Sequence, residues 1–283
     1  MQGENAMVIA ICQLNIRYED KAYNIAHAKE LIEKAASQSA EIILFPEMSV
    51  TGFSMETDKL AESQGKSATV DAFCDMALKY NICIGLGVAL NNGNNKSGNH
   101  YVIINNTGTI LSDYTKIHPF SISGEDQFFD KGNEIVHYEI GGFSCSHFIC
   151  YDLRFPEVFH VASKKAELIF VPANWPASRI EQYRALLCAR AIENQAYVIG
   201  INCTGQQGNV AYDGGSAAYD YLGREVIKLS DEELAYVTID DAGALREYRQ
   251  NFPVKRDIRW ELYKNMYEKE MPEKELLEKE PAE

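Results

Sequence analysis

The chain has no run approaching the roughly 18 consecutive apolar residues that a membrane-crossing helix requires. Its start, Met1-Gln2-Gly3-Glu4-Asn5, has neither a basic opening nor an apolar signal core. A soluble, cytoplasmic protein with no membrane partner is therefore expected. Basic residues are scarce: 27 Lys and Arg stand against 41 Asp and Glu, for a net charge of −14. That balance argues against a nucleic-acid partner, which needs a basic surface to meet its phosphates. The seven cysteines (Cys12, Cys74, Cys83, Cys145, Cys150, Cys188, Cys203) are odd in number and scattered, with no CxxC pair. The six histidines form no HxH or HExxH group. Reduced thiols are therefore expected, with no disulfide framework, zinc site or other metal or organic cofactor. Gly85-Leu86-Gly87 and the stretch 91–98 lack the spacing of a dinucleotide or phosphate loop. No proline- or serine-rich linker and no fixed repeat divides the chain.

What is present is an alternation of strand-like and helix-like segments with short connections. Val8 to Leu14 is an apolar run, and Tyr23 to Ser37 carries a helical stripe of Ile25, Ala28, Ile32, Ala35 and Ala36. Ile42 to Phe45 reads as a strand stopped by Pro46. A helix from about Val70 to Tyr80 leads to a strand from Ile82 to Val88. Tyr101–Ile104 and Thr109–Tyr114 read as a hairpin turning at Asn106-Thr107-Gly108, and a second pair surrounds Gly141-Gly142. Strands at 167–172 and 196–202 flank a helix from Glu181 to Asn194, and further strands run to about Ile239. The pattern predicts one mixed α/β domain, strands sandwiched between helices. Residues 1–263 are assigned to it, and 264–283 to a charged C-terminal tail. From Glu261 to Glu283 there are eight Glu and four Lys, a solvated pattern without assigned chemistry.

The most informative segment is Phe148-Ile149-Cys150-Tyr151-Asp152-Leu153-Arg154-Phe155-Pro156-Glu157. An apolar run delivers Cys150 to a polar turn, and Pro156-Glu157 can open a helix. A thiol held there faces a crevice, and a helix dipole with a nearby cation would favour thiolate. Two other strand ends carry chemistry. Glu47 follows Ile42–Phe45, with Pro46 ending the ladder and Gly52 permitting a turn. Lys116 follows Thr109–Tyr114. A carboxylate, an ammonium and a thiol at three strand ends supply a base, an electrostatic stabiliser and a nucleophile, the parts of an acyl-transfer site.

These residues carry a family resemblance. The sequence resembles the carbon–nitrogen hydrolase (nitrilase) superfamily, whose Glu-Lys-Cys triad matches Glu47, Lys116 and Cys150, from about Met7 to Tyr263. Cys150 to Pro156, Ala173-Asn174-Trp175-Pro176 and Arg184 to Val198 are similar to its ω-amidase branch. The resemblance implies a four-layer αββα sandwich assembled as a homodimer. It also implies hydrolysis of the side-chain amide of α-ketoglutaramate or α-ketosuccinamate to a dicarboxylate and ammonia. A second family glutamate falls by spacing on Glu125, with Asp126 its neighbour and alternative.

On this reading Cys150 attacks the amide carbon to form a thioester. Lys116 and the Tyr151 N–H stabilise the oxyanion, Glu47 moves the proton, and Glu125 orients Lys116 or the substrate. Arg154 is a candidate partner for a substrate carboxylate or, equally, half of a structural salt bridge. Trp175 either walls the pocket or packs in the core. His118 is expected to be a hydrogen-bonded packing residue. The same triad also serves N-carbamoyl amino-acid hydrolases, aliphatic amidases and nitrilases, and a fold of this kind can serve as a metabolite-binding scaffold.

Overall fold

Along Met7–Cys12, Ile9 and Ile11 join one hydrophobic cluster while Ala10 and Cys12 join another. Successive strand side chains point to opposite faces, so a strand apolar at every position is buried on both sides. The computed structural model, which describes residues 6–91, 93, 96–240 and 242–270, shows what covers each face.

In chain order the strands and helices are β1 (Met7–Cys12), α1 (Lys21–Ser37), β2 (Ile42–Leu44), α2 (Thr57–Leu60), β3 (Glu62–Ser63), α3 (Ala68–Tyr80), β4 (Cys83–Asn91), β5 (Ser97–Ile104) and β6 (Ile110–Thr115). Next come α4 (Glu125–Phe128), β7 (Tyr138–Ile140), β8 (Phe143–His147), α5 (Pro156–Ala162), β9 (Leu168–Ala173), α6 (Ile180–Asn194) and β10 (Tyr197–Asn202). The remainder is a hairpin of β11 (Thr204–Gln207) and β12 (Val210–Asp213), then β13 (Ala217–Tyr219), β14 (Glu225–Lys228), β15 (Leu234–Ile239), α7 (Gly243–Asn251) and α8 (Trp260–Glu270).

The first sheet runs β15-β1-β2-β4-β5-β6, with β3 paired to β4; the second runs β14-β13-β10-β9-β8-β7. Their centres are parallel, β1-β2-β4 and β8-β9-β10, and antiparallel strands complete the edges. The first sheet's outer face, with Ile43, Phe45, Ile84 and Val102, packs on Ala28, Leu31 and Ile32 of α1 and on Val70 and Phe73 of α3. Its inner face, with Ile9, Ile11, Leu44 and Tyr101, joins the cluster that continues through the second sheet to Phe159 of α5 and Leu187 of α6. These layers are helices, sheet, sheet and helices, the αββα sandwich that the resemblance implies. Burying each Phe, Leu or Ile contributes roughly 1.5–3 kcal/mol.

Local signals set the helix ends. Asp20 caps α1 by accepting from the Tyr23 N–H at 3.1 Å, and Ser67 caps α3 by accepting from Val70 N–H at 3.1 Å. On α1 the buried face is Asn24, Ala28, Leu31, Ile32 and Ala35, so the stripe lies slightly rotated from the expected one, with Ile25 and Ala36 at its margin.

The chain separates into two compact units, Met1–Leu245 and Arg246–Glu283. The second holds the end of α7, a turn at Val254–Asp257 and α8. Of the charged tail assigned to 264–283, positions 271–283 lie outside the described residues.

Candidate active site

Parallel strands bring their C-terminal ends to one edge of a sheet, where side chains line a crevice. Three strand ends, two in the first sheet and one in the second, lead into a functional position. After β2, Pro46 ends the ladder and Glu47 turns inward. The loop is pressed onto β4 at Gly87, where an added Cβ would lie 2.4 Å from Met48 N and 2.5 Å from Pro46 O. Ser49 pins it further: Ser49 N–H donates to Gly87 O at 2.9 Å, and Gly87 N–H donates to Ser49 Oγ at 3.1 Å. After β6, Lys116 enters the same space. After β8, Cys150 opens a short turn at Cys150–Arg154 with φ of +47°, a strained value for a residue with a side chain.

Glu47, Lys116 and Glu125 are each fully buried. Lys116 Nζ donates to Glu47 Oε1 at 2.8 Å and to Glu125 at 2.8 Å (Oε2) and 3.1 Å (Oε1). Asn99 bridges the two acids, its Nδ2 donating to Oε1 of each at 2.8 Å, while its Oδ1 has no partner among the described residues. Glu47 Oε2 accepts from the Asn174 N–H at 2.9 Å, and Glu47 O accepts from Asn174 Nδ2 at 2.6 Å. Phe120 N–H donates to Glu125 Oε2 at 2.5 Å. Of the two acidic candidates in this loop, Glu125 is the one against Lys116.

Two carboxylates on one ammonium set the electrostatics. Burial disfavours the Lys116 charge, but Glu125 and then Glu47 outweigh it and hold Lys116 above its ordinary value. Burial raises Glu125, Lys116 opposes it, and nearby Glu47 raises it further. The Cys150 thiol is pushed well above its usual value, first by burial and then by Glu47, with Lys116 pulling the other way. This corrects the expectation that a helix dipole and a cation favour thiolate. The lysine's attraction is outweighed by lost hydration and two acids, so the resting sulfur keeps its proton.

Asp152 ties the lysine strand to the cysteine turn. Its Oδ2 accepts from Tyr114 OH at 2.7 Å and Ile149 N–H at 3.0 Å; its Oδ1 accepts from His118 N–H at 2.8 Å. His118 Nδ1 lies 2.8 Å from the same Oδ1, and its ring stacks on Phe155 at 3.7 Å. His118 is thus the hydrogen-bonded packing residue expected of it.

Above the sulfur lies a cavity of about 470 Å³ lined by Lys116, Cys150, Tyr151, Arg154 and Trp175, among others. Arg154 does not form the structural salt bridge considered for it. It meets no carboxylate among the described residues; it donates to Gln182 Oε1 at 2.7 Å and lies over the Trp175 ring at 4.9 Å. Trp175 fills both roles considered: it is 3% exposed and packs on Tyr183 at 5.1 Å, yet it walls the cavity. Sequence reasoning passed over Asn99, Asn174, Phe53, Phe120 and the β12 wall of Val210 and Tyr212. Asn99 falls outside the expected strands, because Ser97-Gly98-Asn99-His100 lacks the apolar signature of one. Asn174 carries no sequence signal beyond its place in Ala173-Asn174-Trp175-Pro176.

Against known proteins, residues 8–250 match the carbon-nitrogen hydrolase family model. The chain is 34% identical over 257 residues to 2-oxoglutaramate amidase of Bacillus subtilis (strain 168), covering 90% of this chain and 98% of that one. Its fold matches XC1258 from Xanthomonas campestris, a CN-hydrolase superfamily protein, with a TM-score of 0.82 and 31% identity over 89% of this chain and 97% of that one. It also matches a mutant of the amidase from Nesterenkonia sp. AN1 that shows covalent addition of the acetamide moiety of fluoroacetamide at the active site cysteine. There the TM-score is 0.82 and the identity 25%, over 94% of this chain and 98% of that one. With its two-sheet sandwich and a family match across most of its length, this chain belongs to the carbon-nitrogen hydrolase family.

Proposed function

We propose that the protein is an ω-amidase that hydrolyses the side-chain amide of small keto-acid amides such as α-ketoglutaramate and α-ketosuccinamate, with Cys150 as nucleophile. The observation that carries this reading is the buried cluster of Glu47, Lys116 and Glu125 beside a strained cysteine at the floor of a cavity. The coarser level is plain: this is a hydrolase of amide carbon–nitrogen bonds.

Because the resting thiol is protonated, attack needs a base. Glu47 takes the proton as Cys150 Sγ bonds to the amide carbon. Transfer from thiol to carboxylate leaves the site's net charge unchanged, which matters where water is excluded. The developing oxyanion is stabilised by Lys116 and the Tyr151 N–H, an effect commonly worth a few kcal/mol per donor. Glu47 returns the proton to departing ammonia, leaving a thioester. It then takes a proton from water, whose oxygen attacks the thioester carbon, and the dicarboxylate leaves as the thiol is restored. Glu125 orients Lys116, and Asn99 keeps the two acids in register. Arg154 meets the substrate carboxylate and Trp175 walls the acyl chain.

The covalent adduct at the active site cysteine of the Nesterenkonia amidase and the activity named for the Bacillus relative both support the reading. A homodimer in the cytoplasm that works without metal or organic cofactor belongs to the same proposal. The test is ammonia release from a panel of keto-acid amides, nitriles and N-carbamoyl amino acids, with Cys150→Ala as control. Preference for the keto-acid amides, abolished by the substitution, is expected. Preference for nitriles or carbamoyl compounds, or substantial activity in Cys150→Ala, overturns it.

A further inference from the structure

Among the described residues, the cavity over Cys150 is lined by three cations, Lys116, Arg154 and Arg179, and by no Asp or Glu. Lys116 is already matched by two carboxylates. The arginines differ from others in the same unit. Arg17, Arg184, Arg190 and Arg224 each lie against a carboxylate, at 3.4, 3.2, 2.8 and 2.7 Å. Arg154 and Arg179 have none among the described residues. Both are only partly exposed, and each is set by an aromatic wall. Arg154 Cζ lies 4.9 Å from the Trp175 ring centroid, and Arg179 Cζ lies 5.7 Å from that of Phe120. Trp175 Nε1–H donates to Arg179 O at 2.9 Å, so one indole links the two supports. A planar guanidinium stacked on a ring keeps its edge donors for a ligand and loses little rotamer freedom on binding one.

We infer that Arg179 acts with Arg154 as a specificity-determining pair that grips the carboxylate of the substrate at the end remote from the scissile amide. The inference rests on the amidase reading for the word substrate, but the grip itself is a property of the cavity. Phe53, Phe120, Trp175 and Val210 give the cavity an apolar face that suits a short hydrocarbon chain, with Ser123, Asn174, Ser178 and Asn209 among its uncharged polar members. In a chain of net charge −14, an anionic ligand meets general repulsion. Two arginines unmatched by acids supply the local attraction that admits it. The preferred class is therefore a small amide bearing a free carboxylate, and a neutral amide of equal length lacks the group the pair is built to hold.

The test uses the whole protein with Arg179→Gln, Arg154→Gln and Arg179→Lys, and two amides, α-ketoglutaramate and uncharged butanamide. Loss of a hydrogen-bonded charge corresponds to roughly a 10- to 150-fold fall in kcat/KM on α-ketoglutaramate, carried mainly by KM. Butanamide hydrolysis should change less than about twofold, and Arg179→Lys should recover part of the loss. Equal losses on both amides would mark a structural role, and an unchanged α-ketoglutaramate rate would mark none; either overturns the pair. Calorimetry of 2-oxoglutarate binding to Cys150→Ala, with and without Arg179→Gln, separates this from the amidase reading. If wild type fails on keto-amides yet Arg179→Gln weakens 2-oxoglutarate binding 10-fold or more, the activity is wrong and the grip stands. If wild type hydrolyses α-ketoglutaramate and Arg179→Gln alters neither turnover nor binding, the grip is wrong and the activity stands. No measurable 2-oxoglutarate binding to Cys150→Ala also overturns the grip.

Discussion

Replacing Lys116 with Met keeps most of the side-chain stem and removes the one cation between two buried acids. In the intact site Nζ lies 2.8 Å from Glu47 Oε1 and 2.8 Å from Glu125 Oε2, with all three groups shut off from solvent. Breaking a buried pair by deleting one partner typically costs about 3–5 kcal/mol, because the remaining charge is left uncompensated. Here two carboxylates remain, bridged by Asn99, and at least one should take up a proton to stay buried. That response fixes the sign of the pH dependence. A carboxyl group whose folded pKa is raised gives no penalty below its unfolded value near 4.5, and the penalty grows as pH climbs toward the folded value. Each unit in that window is worth about 1.36 kcal/mol. The destabilisation of Lys116→Met relative to wild type should therefore grow with pH, by at most about 4 kcal/mol between about pH 5 and about pH 8, since Glu125 is already raised in the intact site. Urea midpoints at the two pH values measure it. Adding Glu125→Gln should recover much of the loss at the higher pH. A cost below about 1 kcal/mol, or one equal at both pH values, would refute the picture of an ammonium holding two acids in place.

Other outcomes follow from the same geometry. At φ of +47° a glycine is relieved of Cβ strain, so Cys150→Gly should be inactive yet about 1 kcal/mol more stable than Cys150→Ala in chemical denaturation. Burial and Glu47 raise the resting thiol, so iodoacetamide labelling of Cys150 should be slow near neutral pH and still be rising at pH values where an ordinary thiol has levelled off. Asp152→Ala strands the Tyr114 hydroxyl and the His118 and Ile149 N–H groups, and should cost about 3 kcal/mol by urea midpoint while lowering kcat more than it changes KM. Glu62 accepts from Lys21, Ser67 and Thr69, and despite the cost of burial these bonds lower its pKa to about 2. Its contribution, about 1 kcal/mol after discounting for solvent, should be whole above its ordinary value of 4.5 and fade as pH falls toward about 2. Glu62→Gln should therefore be the less stable protein at neutral pH and equal to wild type in strong acid.

How much of this was legible in the sequence depended on what each residue does for the backbone. Glu47, Lys116 and Cys150 stood out because each follows an apolar strand, and strand ends are where α/β folds expose side chains. Their convergence is expected from the family resemblance and not from spacing: Lys116 and Glu47 are 69 positions apart, and the sheet order brings them to 2.8 Å. Asn99 was hidden because its strand is polar where it points into the site, so periodicity had nothing to mark. Arg179, Tyr183 and Arg184 follow Trp175 closely, and the sequence alone gives no basis for choosing among them. The structure separates the three: Tyr183 donates to Val171 O at 2.7 Å in the core, Arg184 lies against Glu181, and Arg179 faces the cavity. The resting state of the thiol was misjudged because desolvation depends on what packs around the sulfur, and no local pattern reports that.

The proposal that an acyl group is carried on one sulfur can be tested by mass spectrometry of the intact protein, quenched in acid during turnover of α-ketoglutaramate. The account predicts a transient acyl adduct that peptide mapping places on Cys150 and that fails to form in Glu47→Gln, which lacks the base for the attack. Turnover that proceeds with no adduct on Cys150, and continues at a comparable rate in Cys150→Ala, would contradict it.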